Sequence, residues 1–173
     1  MKISRAWAMP NPNTFSIAPI KKLIGTYVAG KKFIVDPFVR NSPFKNVSLS
    51  NDIDKNIVAD FHMDALEFLK QQTSNSFDLC LFDPPYSSRQ VSECYKNSGV
   101  AVNMQTTQAK FWTDIKKEIS RIVKQNGFCI TCGWNSGGVG KKYGFVIEEI
   151  LLVAHGGWHN DTIVTIEKKI LKG

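Results

Sequence analysis

The feature that most constrains the fold is an alternation of two patterns along the chain. Short, largely apolar runs typical of buried strands alternate with segments whose apolar residues recur every three or four positions, as in helices. The predicted strands are 32–36, 47–52, 77–82, 127–134, 145–154 and 162–169, and the predicted helices are 14–29, 64–70 and 111–124. This order predicts an α/β fold, with a mostly parallel twisted sheet, helices on its faces and a C-terminal antiparallel hairpin.

The size of the chain suits a single domain. Its 173 residues lie within the range of roughly 100–200 residues that one domain usually spans, and no repeat, low-complexity tract or linker interrupts them. No apolar run approaches the ~20 residues that a membrane helix needs. Residues 1–5 are not followed by the long apolar stretch of a secretory signal. We therefore expect one domain over 1–173, without a membrane partner.

The charge of the chain suggests a polyanionic partner without establishing one. Lys and Arg number 22 against 15 Asp and Glu, which gives a net charge of +7. A small basic domain is a candidate for nucleic-acid binding. However, the basic residues are scattered as single residues and doublets, so composition alone leaves this alternative open.

The cysteines favour a structural role. The chain has four, at positions 80, 94, 129 and 132, and Cys129 and Cys132 have the CxxC spacing of metal and redox sites. They lie within a predicted strand, where positions three apart point to opposite faces. Their sulfurs are therefore poorly placed to share a metal, and free cysteines commonly act as small buried hydrophobes. We expect reduced thiols, no metal site and a cytoplasmic location.

The end of the strand 77–82 carries the chemistry. In a parallel sheet, ligands bind beyond the carboxyl ends of the strands, and this strand ends in Asp83, whose burial is costly unless it is paired or used. Pro84 and Pro85 fix the backbone and remove two N–H donors, and Tyr86 adds an aromatic ring. The sequence thus predicts a carboxylate and a carbonyl that accept from one amino group, below a ring on which a planar base can stack.

Asp83-Pro84-Pro85-Tyr86 resembles the DPPY motif of S-adenosylmethionine-dependent amino-methyltransferases, especially the DNA adenine-N6 methyltransferases of the small phage and prophage type. The resemblance implies a Rossmann-like class I methyltransferase fold, S-adenosylmethionine as cofactor and DNA as partner. It also implies that Asp83 and the Pro84 carbonyl bind the N6 amino group, that Pro85 stiffens the loop, and that Tyr86 stacks on an adenine extruded from the duplex.

The same resemblance implies a set of cofactor-binding residues. They are Phe15, Asp36, Pro37, Phe38, Asn51, Asp52, Asp64, Ala65 and Asp83. Two of them have structural alternatives, because Phe15 could belong to the core and Asp64 could serve only as a helix N-cap. The chain departs from the family after Phe38, where the family has a glycine-rich turn and this sequence reads Val-Arg-Asn-Ser.

The nucleic-acid surface is the least constrained prediction. Candidates are Arg89 and Lys96 beyond the motif, and Lys141 and Lys142 in a glycine-rich loop suited to phosphate contact. His155 and His159 flank the predicted hairpin and are expected to be structural. No separate target-recognition domain is evident, which makes a homodimer an expectation. Two alternatives stay open: a methyltransferase of RNA bases, and a non-catalytic nucleic-acid-binding subunit with the same fold.

Overall fold

The computed structural model describes residues 1–86 and 109–170. Its strands are β1 (Lys2–Trp7), β2 (Ile34–Asp36), β3 (Leu49–Ser50), β4 (Phe77–Phe82), β5 (Val123–Gly133), β6 (Phe145–Ala154) and β7 (Thr162–Lys169). Its helices are α1 (Ala18–Val28), α2 (Ala65–Lys70) and α3 (Ala109–Ile122), and short 3₁₀ turns lie at Thr14–Ser16, Lys45–Val47 and Lys141–Tyr143.

The strands form one sheet in the order β1-β6-β7-β5-β4-β2-β3. All neighbouring pairs are parallel except those made by β7, which runs antiparallel to both β5 and β6. This confirms the predicted mostly parallel sheet with a C-terminal antiparallel hairpin. Because β2, β4, β5 and β6 run the same way, the segments that follow them meet at one edge of the sheet.

Each face of the sheet has its own hydrophobic cluster. Side chains alternate along β4, so Leu79 and Leu81 pack with α1 on one face, whereas Cys80 and Phe82 pack with α2 and α3 on the other. Cys129 belongs to the second cluster and Cys132 to the first, as their strand spacing predicted. Burial raises the pKa of the Cys80 and Cys132 thiols, which favours their neutral form. Cys94 lies outside the described residues.

The helix boundaries follow from local chemistry. Asp64 is the N-cap of α2, where its Oδ1 accepts hydrogen bonds from the backbone N–H groups of Leu66 at 2.9 Å and Glu67 at 3.3 Å. The predicted helix 14–29 is split, because Ile17 is extended (ψ 123°) and α1 starts only at Ala18. Pro19 explains the break, since its ring cannot follow a preceding helical turn.

One strand was not predicted. β1 lies at the edge of the sheet and pairs in parallel with β6, and Lys2 forms an ion pair with Glu149 at 2.6 Å. Its apolar residues give no burial signal, because Ile3 and Trp7 are exposed. The predicted strand 47–52 shrinks to β3, because residues 45–47 form a 3₁₀ turn and Asn51 forms an isolated bridge with Phe61 outside the strand.

Within the described ranges, no helix combines the length and the apolar character needed to cross a membrane. The same residues contain no cluster of three or more His, Cys, Asp or Glu side chains arranged to hold a metal ion.

Candidate active site

The carboxyl edge of the sheet carries a cavity of about 630 Å³. Ligand pockets in proteins commonly measure roughly 300–1,000 Å³, so this cavity can hold a ligand of nucleotide size. Its walls come from the segments that follow β1, β2, β3, β4, β5 and β6. The topology therefore gathers residues from distant parts of the sequence around one opening.

The loop 83–86 forms one wall of this cavity. The half-buried Asp83 follows β4 directly, and its Oδ1 accepts a hydrogen bond from the Tyr86 hydroxyl at 2.5 Å. The Thr14 hydroxyl lies 3.4 Å from the Tyr86 hydroxyl, so the segment after β1 also reaches this group. All four residues of the loop line the cavity.

The protonation of this pair is set by burial. Burial raises the pKa of Asp83, whereas hydrogen bonds from Tyr86 and Thr14 and the charge of Arg40 act in the opposite direction. Burial also raises the pKa of Tyr86 far above its ordinary value, with the charge of Asp83 adding to the shift. Tyr86 therefore stays protonated at neutral pH and donates to Asp83.

Aromatic rings surround the same loop. The Tyr86 ring meets the Trp134 ring edge-on, with centroids 5.7 Å apart and an interplanar angle of 69°. Trp158, in the connection between β6 and β7, lines the cavity with its side chain fully exposed. Flat aromatic faces at an opening are suited to planar ligands, which they bind by stacking. Neither tryptophan was singled out from the sequence, because a lone aromatic residue after a strand has no distinctive pattern.

The structure brings five of the predicted cofactor residues to the cavity wall and leaves four outside it. The five are Phe38, Asn51, Asp52, Ala65 and Asp83, and the four are Phe15, Asp36, Pro37 and Asp64. Phe15 is 3% exposed and packs in the core against Phe44, which is the structural alternative that the sequence left open.

Asn51 and Asp52 organise the loops beside the cavity. The Asn51 side-chain amide donates to the carbonyls of Pro37 at 3.2 Å and Met63 at 3.1 Å, and its oxygen accepts from the Met63 N–H. The Asp52 carboxylate accepts from the backbone N–H groups of Arg40 and Asp54, both at 2.9 Å. These contacts fix the turn after β2 against the segment after β3.

Asp36 lies beneath this layer and is completely buried. Its Oδ1 accepts from the Phe38 N–H at 3.2 Å, whereas its Oδ2 has no hydrogen-bond partner among the described residues. Burial raises the pKa of Asp36 well above its ordinary value, and the charges of Asp83 and Asp52 add to the effect. The neutral carboxyl form is therefore favoured, and Asp36 supports the turn from below.

Arg40 is the functional candidate that sequence reasoning missed. It lies in the turn after β2, where the glycine-rich segment was expected, and its φ of 43° is in the left-handed region. Only a few per cent of non-glycine residues have a positive φ. The turn therefore takes a glycine-like conformation without a glycine, and Arg40 is one of the residues that line the cavity. The departure from the family pattern at this position was the one available signal.

His155 ties two walls of the cavity together. Its Nδ1 lies 2.8 Å from the Ala8 carbonyl oxygen, and its Nε2 lies 2.8 Å from the Thr162 hydroxyl. The ring is 5% exposed and links the segment after β1 to the start of β7. This agrees with the structural role predicted for His155, whereas His159 only lines the cavity wall.

Two of the four predicted nucleic-acid residues, Lys141 and Lys142, do not line this cavity. The other two, Arg89 and Lys96, lie outside the described residues, so their placement stays a prediction. Lys141 and Lys142 lie in the 3₁₀ turn just before β6, and the amino end of β6 is at the opposite edge of the sheet from Asp83.

The glycine-rich loop has a partner of its own. The backbone N–H groups of Val139 and Gly140 donate to the two carboxylate oxygens of Glu167, at 2.6 Å and 2.9 Å. These two N–H groups donate to a carboxylate within the protein, so the phosphate contact expected of this loop would depend on its other groups, such as Lys141 and Lys142, and stays a prediction.

No protein-family model and no curated protein sequence matches the chain. Solved structures do resemble it. A SAM-dependent methyltransferase from Archaeoglobus fulgidus is 10% identical with a TM-score of 0.62, and the match covers 88% of this chain and 92% of that one. A SAM-dependent methyltransferase from Methanosarcina mazei is 12% identical with a TM-score of 0.61, covering 87% and 98%.

A third similar structure contains ligands. It is the 1,6-didemethyltoxoflavin-N1-methyltransferase of Burkholderia thailandensis, with bound 1,6-didemethyltoxoflavin and S-adenosylhomocysteine. It is 8% identical with a TM-score of 0.57, and the match covers 88% of this chain and 77% of that chain. At such identities the likeness is one of fold. The chain therefore has the Rossmann-like fold of SAM-dependent methyltransferases.

Proposed function

We propose that this protein is an S-adenosylmethionine-dependent methyltransferase that methylates the exocyclic N6 amine of adenine in DNA. One observation carries the proposal. The loop after β4 places the Asp83 carboxylate, the Pro84 residue and the Tyr86 ring on the wall of one cavity, at the carboxyl edge of a methyltransferase-like sheet. A carboxylate and a carbonyl beside an aromatic ring match the needs of an amino group on a planar base.

The chemistry of the cavity fits the cofactor. Apolar side chains suited to an adenine ring line the part nearest β3 and α2, namely Phe38, Ile53, Ile57, Met63 and Ala65. The Asp52 carboxylate lies beside them, and a carboxylate has lone pairs for ribose hydroxyls in addition to its two backbone donors. When bound, S-adenosylmethionine would supply an electrophilic methyl group.

The work of the protein would be to position and polarise the amine. The N6 lone pair of adenine is delocalised into the ring, which makes this nitrogen a weak nucleophile. Asp83 and the Pro84 carbonyl would accept hydrogen bonds from its two hydrogens and direct the lone pair toward the methyl group. Methylation leaves a positive nitrogen that must lose a proton, and Asp83, whose pKa is raised by burial, is suited to accept it.

Tyr86 has two tasks in this scheme. Its ring, supported edge-on by Trp134, would stack on the target base. Its hydroxyl donates to Asp83 and would share that carboxylate with the incoming amine. Since N6 is inaccessible to a cavity-bound group in a paired duplex, the base must be extruded. The net charge of +7 supports a nucleic-acid substrate.

The decisive experiment is transfer of a labelled methyl group from S-adenosylmethionine to duplex DNA, single-stranded DNA and RNA, with chromatography of the resulting nucleosides. N6-methyladenine in DNA, lost in the variant D83A, is the expected result. Label found only in RNA would replace the substrate in this proposal. If the protein does not bind S-adenosylmethionine at millimolar concentration, the enzymatic function itself is wrong and the non-catalytic alternative stands.

A further inference from the structure

We propose that Arg40 binds the carboxylate of the methionine part of S-adenosylmethionine, and that the left-handed backbone of Arg40 is retained to aim its side chain into the cavity. This inference rests on the proposed function. It assigns a cofactor contact to the turn that, judged by its sequence, departs from the family pattern. Three observations lead to it: a strained backbone, a rigid support and the distribution of charge around the cavity.

The backbone of Arg40 is in a conformation that side chains disfavour. Its φ of 43° brings Cβ close to the carbonyl oxygen, a crowding that only glycine avoids. Strained residues of this kind persist where the surroundings fix them, and they concentrate at ligand sites. An arginine in such a position, in the wall of a cavity and close enough for its charge to lower the pKa of Asp83, points to a use for the guanidinium group.

The turn is fixed from several directions. The Arg40 N–H donates to the Asp52 carboxylate at 2.9 Å, and the N–H of the preceding Val39 donates to the Asn51 carbonyl at 3.0 Å. Val39 itself is 2% exposed, and its own carbonyl accepts from the Ser42 N–H at 2.8 Å. These contacts hold the backbone in place without using the guanidinium group. Among the described residues, no ion pair within 4.0 Å involves Arg40.

The charges around the cavity are uneven. Of the described residues that line it, three are carboxylates, Asp52, Asp54 and Asp83, and Arg40 is the single Lys or Arg. S-adenosylmethionine carries a sulfonium and an ammonium group, which suit carboxylates, and one carboxylate, which needs a cation. A guanidinium group pairs with a carboxylate through two parallel hydrogen bonds. Arg40 is therefore the partner that the cofactor carboxylate would find in this cavity.

The test compares two ligands that differ by one group. Calorimetry with the full chain would measure binding of S-adenosylmethionine and of decarboxylated S-adenosylmethionine to the wild type, R40A and R40K. R40A should bind S-adenosylmethionine roughly 10–100-fold more weakly, the range expected for losing hydrogen bonds between charged groups. Its affinity for the decarboxylated ligand should change by less than about twofold. R40K should lie between the wild type and R40A for S-adenosylmethionine.

A second pair of variants separates backbone from side chain. R40G should raise the melting temperature, because glycine relieves the left-handed strain, while it weakens S-adenosylmethionine binding as much as R40A does. The matched control is N126G, since Asn126 is exposed, also has a positive φ of 63° and does not line the cavity. N126G should leave both affinities unchanged.

Three outcomes would overturn the assignment. If R40A loses affinity equally for S-adenosylmethionine and for its decarboxylated form, Arg40 shapes the cavity and does not contact the carboxylate. Unchanged S-adenosylmethionine affinity with weaker binding of a labelled DNA duplex would assign Arg40 to phosphate. A wild-type protein that binds neither ligand would refute the proposed function as well, which distinguishes that failure from a failure of Arg40 alone.

Discussion

Glu167 and Asp83 are two carboxylates with raised pKa values and opposite surroundings. In both, burial raises the pKa. Glu167 has no exposed surface and is held by two backbone N–H groups, whereas Asp83 is half-buried, lines a cavity and is held by the hydroxyl of Tyr86. Backbone donors leave only if the loop rearranges, but a side-chain hydroxyl can rotate. A buried carboxylate held by backbone N–H groups, such as Glu167, is therefore structural. A carboxylate held by a side-chain hydroxyl, such as Asp83, can exchange that hydrogen-bond donor for a ligand.

The contrast extends to the glycines near Glu167. Gly138 has a φ of 47°, and a Cβ at this position would collide with the Glu167 carboxylate. The glycine content of the loop is therefore explained by close approach of an internal carboxylate. This local geometry serves stability, in contrast to the loop 83–86, whose prolines and aromatic ring face the cavity.

The largest expected difference between the two carboxylates is in activity. D83A should lower the rate of methyl transfer by at least about 100-fold, since the group that polarises the amine is lost. E167Q, measured below its melting temperature, should retain the wild-type rate. Initial rates with labelled cofactor, beside circular dichroism spectra that show both variants folded, would check this. A D83A variant with wild-type activity would remove Asp83 from the mechanism.

The second prediction concerns stability, where the larger effect is expected at Glu167. E167Q should destabilise the fold by about 1–3 kcal/mol, because a side-chain N–H₂ group would then face a buried backbone N–H that has lost its acceptor. For a chain of this size, that corresponds to a fall in melting temperature of very roughly 2–12 °C. Thermal unfolding followed by circular dichroism measures it. An unchanged melting temperature would show that the loop does not depend on Glu167.

The third prediction concerns the partner of Asp83. Y86F keeps the ring but removes the hydrogen bond that lowers the pKa of Asp83. That pKa should therefore rise, and the acid limb of the pH–rate profile should move to higher pH. At the alkaline plateau the rate should fall by less than about tenfold, since one net hydrogen bond is at stake. An acid limb that does not move would mean that another group controls it.

The smallest effect is on stability as a function of pH. The pKa of Asp83 is higher in the folded protein than its ordinary value, so the folded state binds this proton more tightly than the unfolded state does. The resulting stability is present at low pH and is lost as pH rises through the raised pKa. D83N has no titrating carboxyl group at this position and does not lose this stability. The melting temperature of D83N minus that of the wild type should therefore increase from pH 4 to pH 8. A constant difference would contradict the raised pKa.

The sequence predicted the elements whose burial leaves a clear pattern. β4, β6 and β7 have the predicted bounds, because each is an apolar-rich run, and β4 and β6 are followed by proline or glycine residues that end a strand. β1 was missed, since an exposed edge strand needs no such pattern. The hydrogen bonds between the glycine-rich loop and Glu167 were also not predicted, because Glu167 lies far from Val139 in sequence.

The candidate site divides in the same way. The loop 83–86 was predictable because its four residues are contiguous and follow a recognisable strand. Arg40 was not predictable, since a left-handed backbone is ordinarily indicated by glycine or asparagine, and the departure from the family pattern was the only signal at this position. Trp134 and Trp158 reach the cavity only because the ends of β5 and β6 lie at the same edge of the sheet.

The pairing of β1 with β6 has a consequence for the order of folding. Residues 2–7 are synthesised before residues 145–154, so Ile3 has no strand partner until Ile150 has been synthesised. The segment after β1 lines the cavity and is held through Ala8 by His155, which is also made late. Pairings so distant in sequence form slowly, because the intervening chain must first be ordered. During refolding, the ability to bind a ligand should therefore appear after the β2–β4–β5 centre of the sheet is complete.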